Sequence, residues 1–266
     1  MKLGFAILSV LTMGIAWGRP ATAQGTTLTW TVDGMQREAL VFAPQAPTGS
    51  VKRPLIFAFH GHGGNAQVAS RRMRFQELWP EAIVVYPQGL PTPSPKDPNG
   101  LRSGWQKEAG QLGDRDLKFV DAILLTLRKD YGVDAARVYA AGFSNGAAFS
   151  YLLWAERAKD FAGFGIGAGA LSPSTQLREP RPALVVAGET DPVLPFEKQQ
   201  AALQAARQVD QATGAGQSCG PLCTFYPSTV QAPVLAILHP GGHVFRPQDA
   251  QAMVSFFQNI SKNSGK

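Results

Sequence analysis

Tyr139-Ala140-Ala141-Gly142-Phe143-Ser144-Asn145-Gly146-Ala147-Ala148 is the stretch on which the reading of this chain turns. An apolar β-type run, 137–141, leads into it and a helix-type run, 145–157, follows. Between them stands Gly-x-Ser-x-Gly. In that setting a strand enters a sharp turn, the serine sits at its apex in strained backbone geometry, and a helix leaves at once. Gly142 and Gly146 suit the turn because a side chain at either would collide with the neighbouring strand or helix as the chain doubles back. The bare pattern is common. The strand-turn-helix context is what makes Ser144 a candidate nucleophile.

Working outward, the same alternation of buried strands and amphipathic helices recurs. Residues 27–32 alternate polar and apolar, Gly34 interrupts, and 37–43 resumes, which predicts an antiparallel hairpin at a sheet edge. Residues 55–59 are continuously apolar, as in a strand covered on both faces, and run into His60-Gly61-His62-Gly63-Gly64-Asn65. Asn65 is placed to cap a helix from 66 to about 77. A strand at 82–86 leads to a proline-rich loop, 87–113, long enough to expect a function of it. Trp105 within that loop either walls a pocket or pins the loop to the core.

A helix is expected over 116–131, where Leu117, Val120, Ile123, Leu124 and Leu127 recur at helical spacing. Beyond the serine turn come a Gly- and Ala-rich strand at 163–171 and a buried strand at 183–187. The small residues of the first are expected to admit the serine helix. A helix over 195–209, an irregular insert over 210–232, a strand at 233–238 and a closing helix from Pro247 to about 260 complete the chain. Strands alternating with helices predict one α/β domain: a mostly parallel sheet of about eight strands with helices on both faces.

The length, 266 residues, suits a single large domain. Residues 1–23 read as a secretory signal peptide, with Lys2 at the start, an apolar run from Leu3 to Trp17 and a small-x-small site at Ala21-Thr22-Ala23. The catalytic domain is then 24–266, secreted to the periplasm or beyond. No later run approaches 18 uninterrupted apolar residues, so no membrane anchor is expected after cleavage. The formal charge is +6, or about +4 without Lys2 and Arg19. Its basic residues are scattered, and the Arg71-Arg72-Met73-Arg74 knot lacks aromatic interleaving, so a nucleic-acid partner is not expected. Cys219 and Cys223, the two cysteines, suit a local disulfide worth about 2 kcal/mol by loop entropy. Metal binding is the weaker reading, because no ligand set converges on them; neither a metal nor a cofactor is expected.

Serine needs an adjacent base to act as a nucleophile, and the base needs an orienting group. Ser144, Asp191 and His243 each follow a successive buried strand, so all three loops open at one edge of the sheet. His60 and His239 end buried strands and read as structural. His243 follows Gly241-Gly242 on a turn able to reach the serine. Glu189 competes with Asp191 for the acid role, and Asp191 is favoured because the shorter side chain beside Pro192 is more rigid. The N–H groups of Asn145 and His62 are expected to form an oxyanion hole. The glycine-rich loop lacks the spacing of a nucleotide phosphate cradle. Trp105, Phe143, Leu194, Phe196 and Phe245 are candidate pocket walls.

With those residues in place, the chain from about Pro54 to His243 resembles the secreted esterases of the polyhydroxybutyrate depolymerase, feruloyl esterase and acetylxylan esterase group, within the α/β-hydrolase superfamily. The resemblance is carried by residues 60–64, Val85-Tyr86-Pro87-Gln88-Gly89, Gly104-Trp105, 116–120, Gly142-Phe143-Ser144-Asn145-Gly146, Asp191-Pro192-Val193-Leu194-Pro195-Phe196 and Gly241-Gly242-His243. It implies a cofactor-free serine hydrolase of carboxylic esters, acting on plant cell-wall phenolic or acetyl esters or short hydroxyalkanoate esters. The group often has Gly-His-Thr-Trp-Pro at the histidine, whereas here Val244, Phe245 and Arg246 intervene before Pro247. An acyltransferase or peptidase with the same triad, or a non-catalytic binding protein on this scaffold, are the alternative readings.

Overall fold

The computed structural model describes residues 24–44 and 51–263. The expected leader at 1–23 lies outside the described residues, as does 45–50. The elements in order are β1 (Thr26–Val32), β2 (Met35–Phe42), β3 (Arg53–Phe59), α1 (Ala66–Met73), α2 (Phe75–Leu78), β4 (Ile83–Pro87), β5 (Leu90–Pro91), β6 (Ser103–Gly104), α3 (Arg115–Asp130), β7 (Val133–Phe143), α4 (Asn145–Arg157), β8 (Gly163–Gly167), β9 (Ala183–Gly188), α5 (Phe196–Val209), β10 (Gln217–Gly220), β11 (Cys223–Tyr226), β12 (Val234–His239) and α6 (Pro247–Asn263).

Ten strands form one sheet in the order β1-β2-β4-β3-β7-β8-β9-β12-β11-β10. The six central strands, β4 to β12 in that order, run parallel. The first eight positions are the eight strands expected. The extra two are the hairpin β10–β11, which adds antiparallel to β12 from within the insert 210–232. That insert was expected to be irregular. Its β10 residues are all exposed, so no alternation marks them as a strand. Cys219 and Cys223 are disulfide-bonded at the tip of this hairpin.

The continuous apolar runs are explained by what covers them. Leu55, Phe57 and Phe59 of β3 face a core layer shared with α3 and α4, while Ile56 and Ala58 face a second layer built with α1 and α6. Alternation of side chains across a strand puts successive residues into opposite layers, so a strand covered on both sides is apolar throughout.

Three local expectations are corrected. The helix from 66 breaks at Arg74, which takes φ 52° and separates α1 from the single turn α2. The strand expected over 163–171 ends at Gly167, because Ala168 turns to φ 48°. Finally, a Cβ on Gly163 or Gly165 would meet Ile260, Met253 and Phe257, so the small residues of β8 admit α6 rather than α4. Only Gly169, beyond the strand, makes room for α4, at Ala147.

Candidate active site

The serine turn is built by close backbone packing. A Cβ on Gly142 would stand 2.2 Å from Gly146 O, and one on Gly146 would stand 2.3 Å from Phe59 O. Neither contact is survivable, so both positions require glycine. Ser144 between them has φ 57° and ψ −118°, and its N–H donates to Gly167 O at 2.9 Å. The left-handed φ is a strained position for a side-chain-bearing residue. It lifts the hydroxyl off the end of β7, and α4 starts at the next residue.

Three loops converge on that hydroxyl. The Ser144 Oγ lies 2.8 Å from His243 Nε2, and His243 Nδ1 lies 2.7 Å from Asp191 Oδ2. The Asp191 side chain is fully buried and the His243 ring is largely so. Asp191 is fixed in turn by N–H donors from Val193 (2.8 Å) and Leu194 (2.9 Å) to Oδ1 and by Gln199 Nε2 (3.1 Å) to Oδ2. Burial, the largest single influence, pushes the Asp191 carboxyl up. The Leu194 and Val193 N–H groups together with the His243 ring outweigh it and hold the group below its usual range. Glu189, the rival carboxylate, is exposed.

His60 accepts from Gly89 N–H at Nε2 (3.0 Å), so its proton sits on Nδ1, facing Gly61 O at 2.8 Å. Burial lowers its pKa. His239 is likewise buried, its Nδ1 accepting from Gly241 N–H. Both are spoken for by backbone. His62 lies on the glycine loop, where a Cβ on the preceding Gly61 would be 3.3 Å from Ser144 Cβ. Asn145, the first residue of α4, has an N–H with no acceptor inside its own helix.

Among the candidate pocket walls, Trp105 is corrected. It is fully buried, with Nε1 donating to His60 O at 2.9 Å and its ring stacked on Phe149. It pins the 87–113 loop to the core and walls nothing. Phe143 and Phe245 come together with the histidine: the Phe143 ring centre is 4.9 Å from that of His243 and 6.0 Å from that of Phe245. Phe245 also lines an open cleft of about 730 Å³ between α1, α2 and α6, with Arg71, Arg72 and Gln251. That cleft includes neither Ser144 nor His243. Leu194 and Phe196 are half-buried near Asp191.

Sequence reasoning missed Gln199 and Asp97. Gln199 is a polar residue on the buried face of α5, one turn inside a helix that begins just after Asp191. A polar residue at an apolar position of the helical repeat is the available signal. Asp97 lies in a loop without periodicity, and nothing in the residues links it to His62, whose Nε2 stands 3.2 Å from its Oδ2.

No family model matches the chain. Feruloyl esterase C of Emericella nidulans is 32% identical over 180 residues, covering 67% of this chain and 64% of that protein. The bifunctional acetylxylan esterase/xylanase of Neocallimastix patriciarum is 28% identical over 170 residues, 62% of this chain and 23% of that protein. The chain therefore spans less than two thirds of the length of these relatives. Among solved structures, a ferulic acid esterase from Anaeromyces mucronatus in complex with ferulic acid superposes with a TM-score of 0.58 at 14% identity, covering 89% of this chain and 90% of that one. Sheet order, serine turn and the likeness to solved esterases give the chain the α/β-hydrolase fold, and its relatives in sequence include feruloyl and acetylxylan esterases.

Proposed function

We propose that the protein is a secreted serine esterase that cleaves carboxylic esters of plant cell-wall type, phenolic or acetyl, through an acyl-enzyme. The observation that carries this is the unbroken Ser144–His243–Asp191 relay, with contacts of 2.8 and 2.7 Å. His243 takes the Ser144 proton at Nε2 as Oγ attacks the ester carbonyl, while Asp191 accepts from Nδ1 and stabilises the imidazolium. The N–H groups of Asn145 and His62 receive the oxyanion. The leaving alcohol takes the proton from His243, and water then repeats the sequence to free the acid. Phenolic and acetyl substrates are favoured by the names of the relatives, one a feruloyl esterase and one an acetylxylan esterase. Export is supported by the leader-like residues 1–23 and by the disulfide, a bond that persists in oxidising compartments.

Ser144→Ala is expected to fold normally, to lose nearly all turnover of methyl ferulate and p-nitrophenyl acetate, and to escape labelling by a fluorophosphonate probe. Turnover retained in that variant would remove the serine from the mechanism.

A further inference from the structure

The loop expected to supply one oxyanion donor has little of its own to hold it. Of residues 61–64 only His62 carries a side chain, and Gly63 sits at φ 75°. A run of glycines has wide backbone freedom, so its orientation must be imposed from outside. The proline-rich segment after β4 supplies that constraint. Gly89 N–H donates to His60 Nε2 at 3.0 Å, Gly63 N–H to Ser103 O at 2.7 Å and Ser103 Oγ to Gly64 O at 2.5 Å. A further tie is made by the loop's own side chain, His62 to Asp97.

Asp97 is itself rigidly placed. Its Oδ1 accepts from Leu101 N–H at 3.2 Å and its Oδ2 from Arg102 N–H at 2.8 Å, while its backbone exchanges two hydrogen bonds with Ser94. The Arg102 N–H holds the carboxyl below its usual range against the opposing effect of burial, helped by Leu101 N–H and His62. A carboxylate accepts, so His62 Nε2 carries the proton and donates to it, with Ser94 Oγ alongside at 3.3 Å. The other face of the ring meets Gly104. A Cβ there would stand 2.8 Å from His62 Nδ1 and 2.9 Å from Asn145 Oδ1. The side chains of His62 and Asn145, whose N–H groups are assigned to the oxyanion, thus abut the same residue.

We infer that Asp97 is a positioning residue for the oxyanion loop: by holding the His62 imidazole it fixes the peptide that presents the His62 N–H to the developing charge. This rests on the serine-esterase reading. Its role is confined to the transition state, because the ester carbonyl of the bound substrate asks less of that donor than the oxyanion does.

The test compares Asp97→Asn, His62→Ala and the double variant with wild type on p-nitrophenyl acetate, together with the Ki of a trifluoromethyl ketone that adds to the serine as a tetrahedral adduct. Asp97→Asn should lower kcat by about 10- to 100-fold, short of the full loss of a donor, with KM nearly unchanged and Ki raised by the same factor. His62→Ala leaves the Leu101 and Arg102 hydrogen bonds of Asp97 in place, so it separates lost positioning from an unravelled 94–102 turn. It should match Asp97→Asn, and the double variant should lose no more than either single one. Wild-type kcat and Ki in Asp97→Asn, or a double variant whose loss is the product of the two, would overturn the inference. Wild-type protein without Ser144-dependent turnover would overturn the esterase reading and this inference with it.

Discussion

Asn145 and Trp105 hold each other by two hydrogen bonds: Trp105 N–H donates to Asn145 Oδ1 at 2.7 Å, and Asn145 Nδ2 donates to Trp105 O at 3.0 Å. The residue after the nucleophile is thereby joined to the start of the 105–114 segment. The join continues outward, because Gln106 N–H donates to Asp116 Oδ2 at 2.9 Å and Asp116 Oδ1 meets Arg37 at 2.8 Å, with both charged side chains fully buried. A buried polar chain runs from β2, the second strand of the sheet, to the first turn of α4.

Asn145→Ala removes both hydrogen bonds and strands a buried N–H and a buried C=O of Trp105. Each orphaned group costs about 1–3 kcal/mol. The expected result is a variant less stable by a few kcal/mol in urea unfolding, with kcat lowered as the start of α4 loosens. Asn145→Asp should recover part of the stability, since it keeps the acceptor for Trp105 N–H. If the alanine variant unfolds at the wild-type midpoint, the clamp contributes nothing.

How much of this was legible in the residues depends on whether a feature has a period. β3, β7, β9 and β12 are readable as apolar runs, and their order alone places Ser144, Asp191 and His243 at one edge of the sheet. The β10 strand was not readable, because its exposed residues follow no alternation. Nor was the α1 break, where Arg74 adopts a φ that no residue type announces. Trp105 left two readings open, since an aromatic in a polar loop satisfies both. The tie between His62 and Asp97 was invisible for a different reason: residues 35 apart in aperiodic chain meet only through the folding of the loop itself.

The strain at Ser144 should be measurable apart from its chemistry. Ser144→Ala and Ser144→Gly both remove the hydroxyl and its contact with His243, and both should be inactive. They differ in that glycine accepts φ 57° without penalty whereas alanine does not. Ser144→Gly is therefore expected to be more stable than Ser144→Ala by about 1 kcal/mol, from a strain of roughly 1–3 kcal/mol offset by glycine's greater freedom when unfolded. Paired urea titrations decide it. Equal midpoints would mean that the turn carries no strain at this residue.

A last prediction concerns a carboxyl far from the chemistry. Asp210 ends α5 fully buried, with Oδ1 accepting from Arg181 N–H at 2.8 Å and Oδ2 lacking a hydrogen-bond partner among the described residues. Burial pushes its pKa up to about 8, against the smaller pull of the Arg181 N–H and charge. Nearby Tyr151, whose hydroxyl is also buried without a partner among the described residues, is pushed up first by burial and then by the Asp210 charge. Between about pH 4 and pH 8 the unfolded chain has released the Asp210 proton and the folded chain retains it. The folded state binds more protons, so stability falls as pH rises through that window, by on the order of 1 kcal/mol per pH unit, and levels off above it. Asp210→Asn keeps an acceptor for Arg181 N–H and cannot ionise, so it should be more stable than wild type, by a margin that widens from pH 5 to pH 8. Urea unfolding of both proteins at the two pH values measures that margin. A difference that stays constant, or shrinks toward pH 8, would show that Asp210 is ionised in the folded protein like any exposed aspartate.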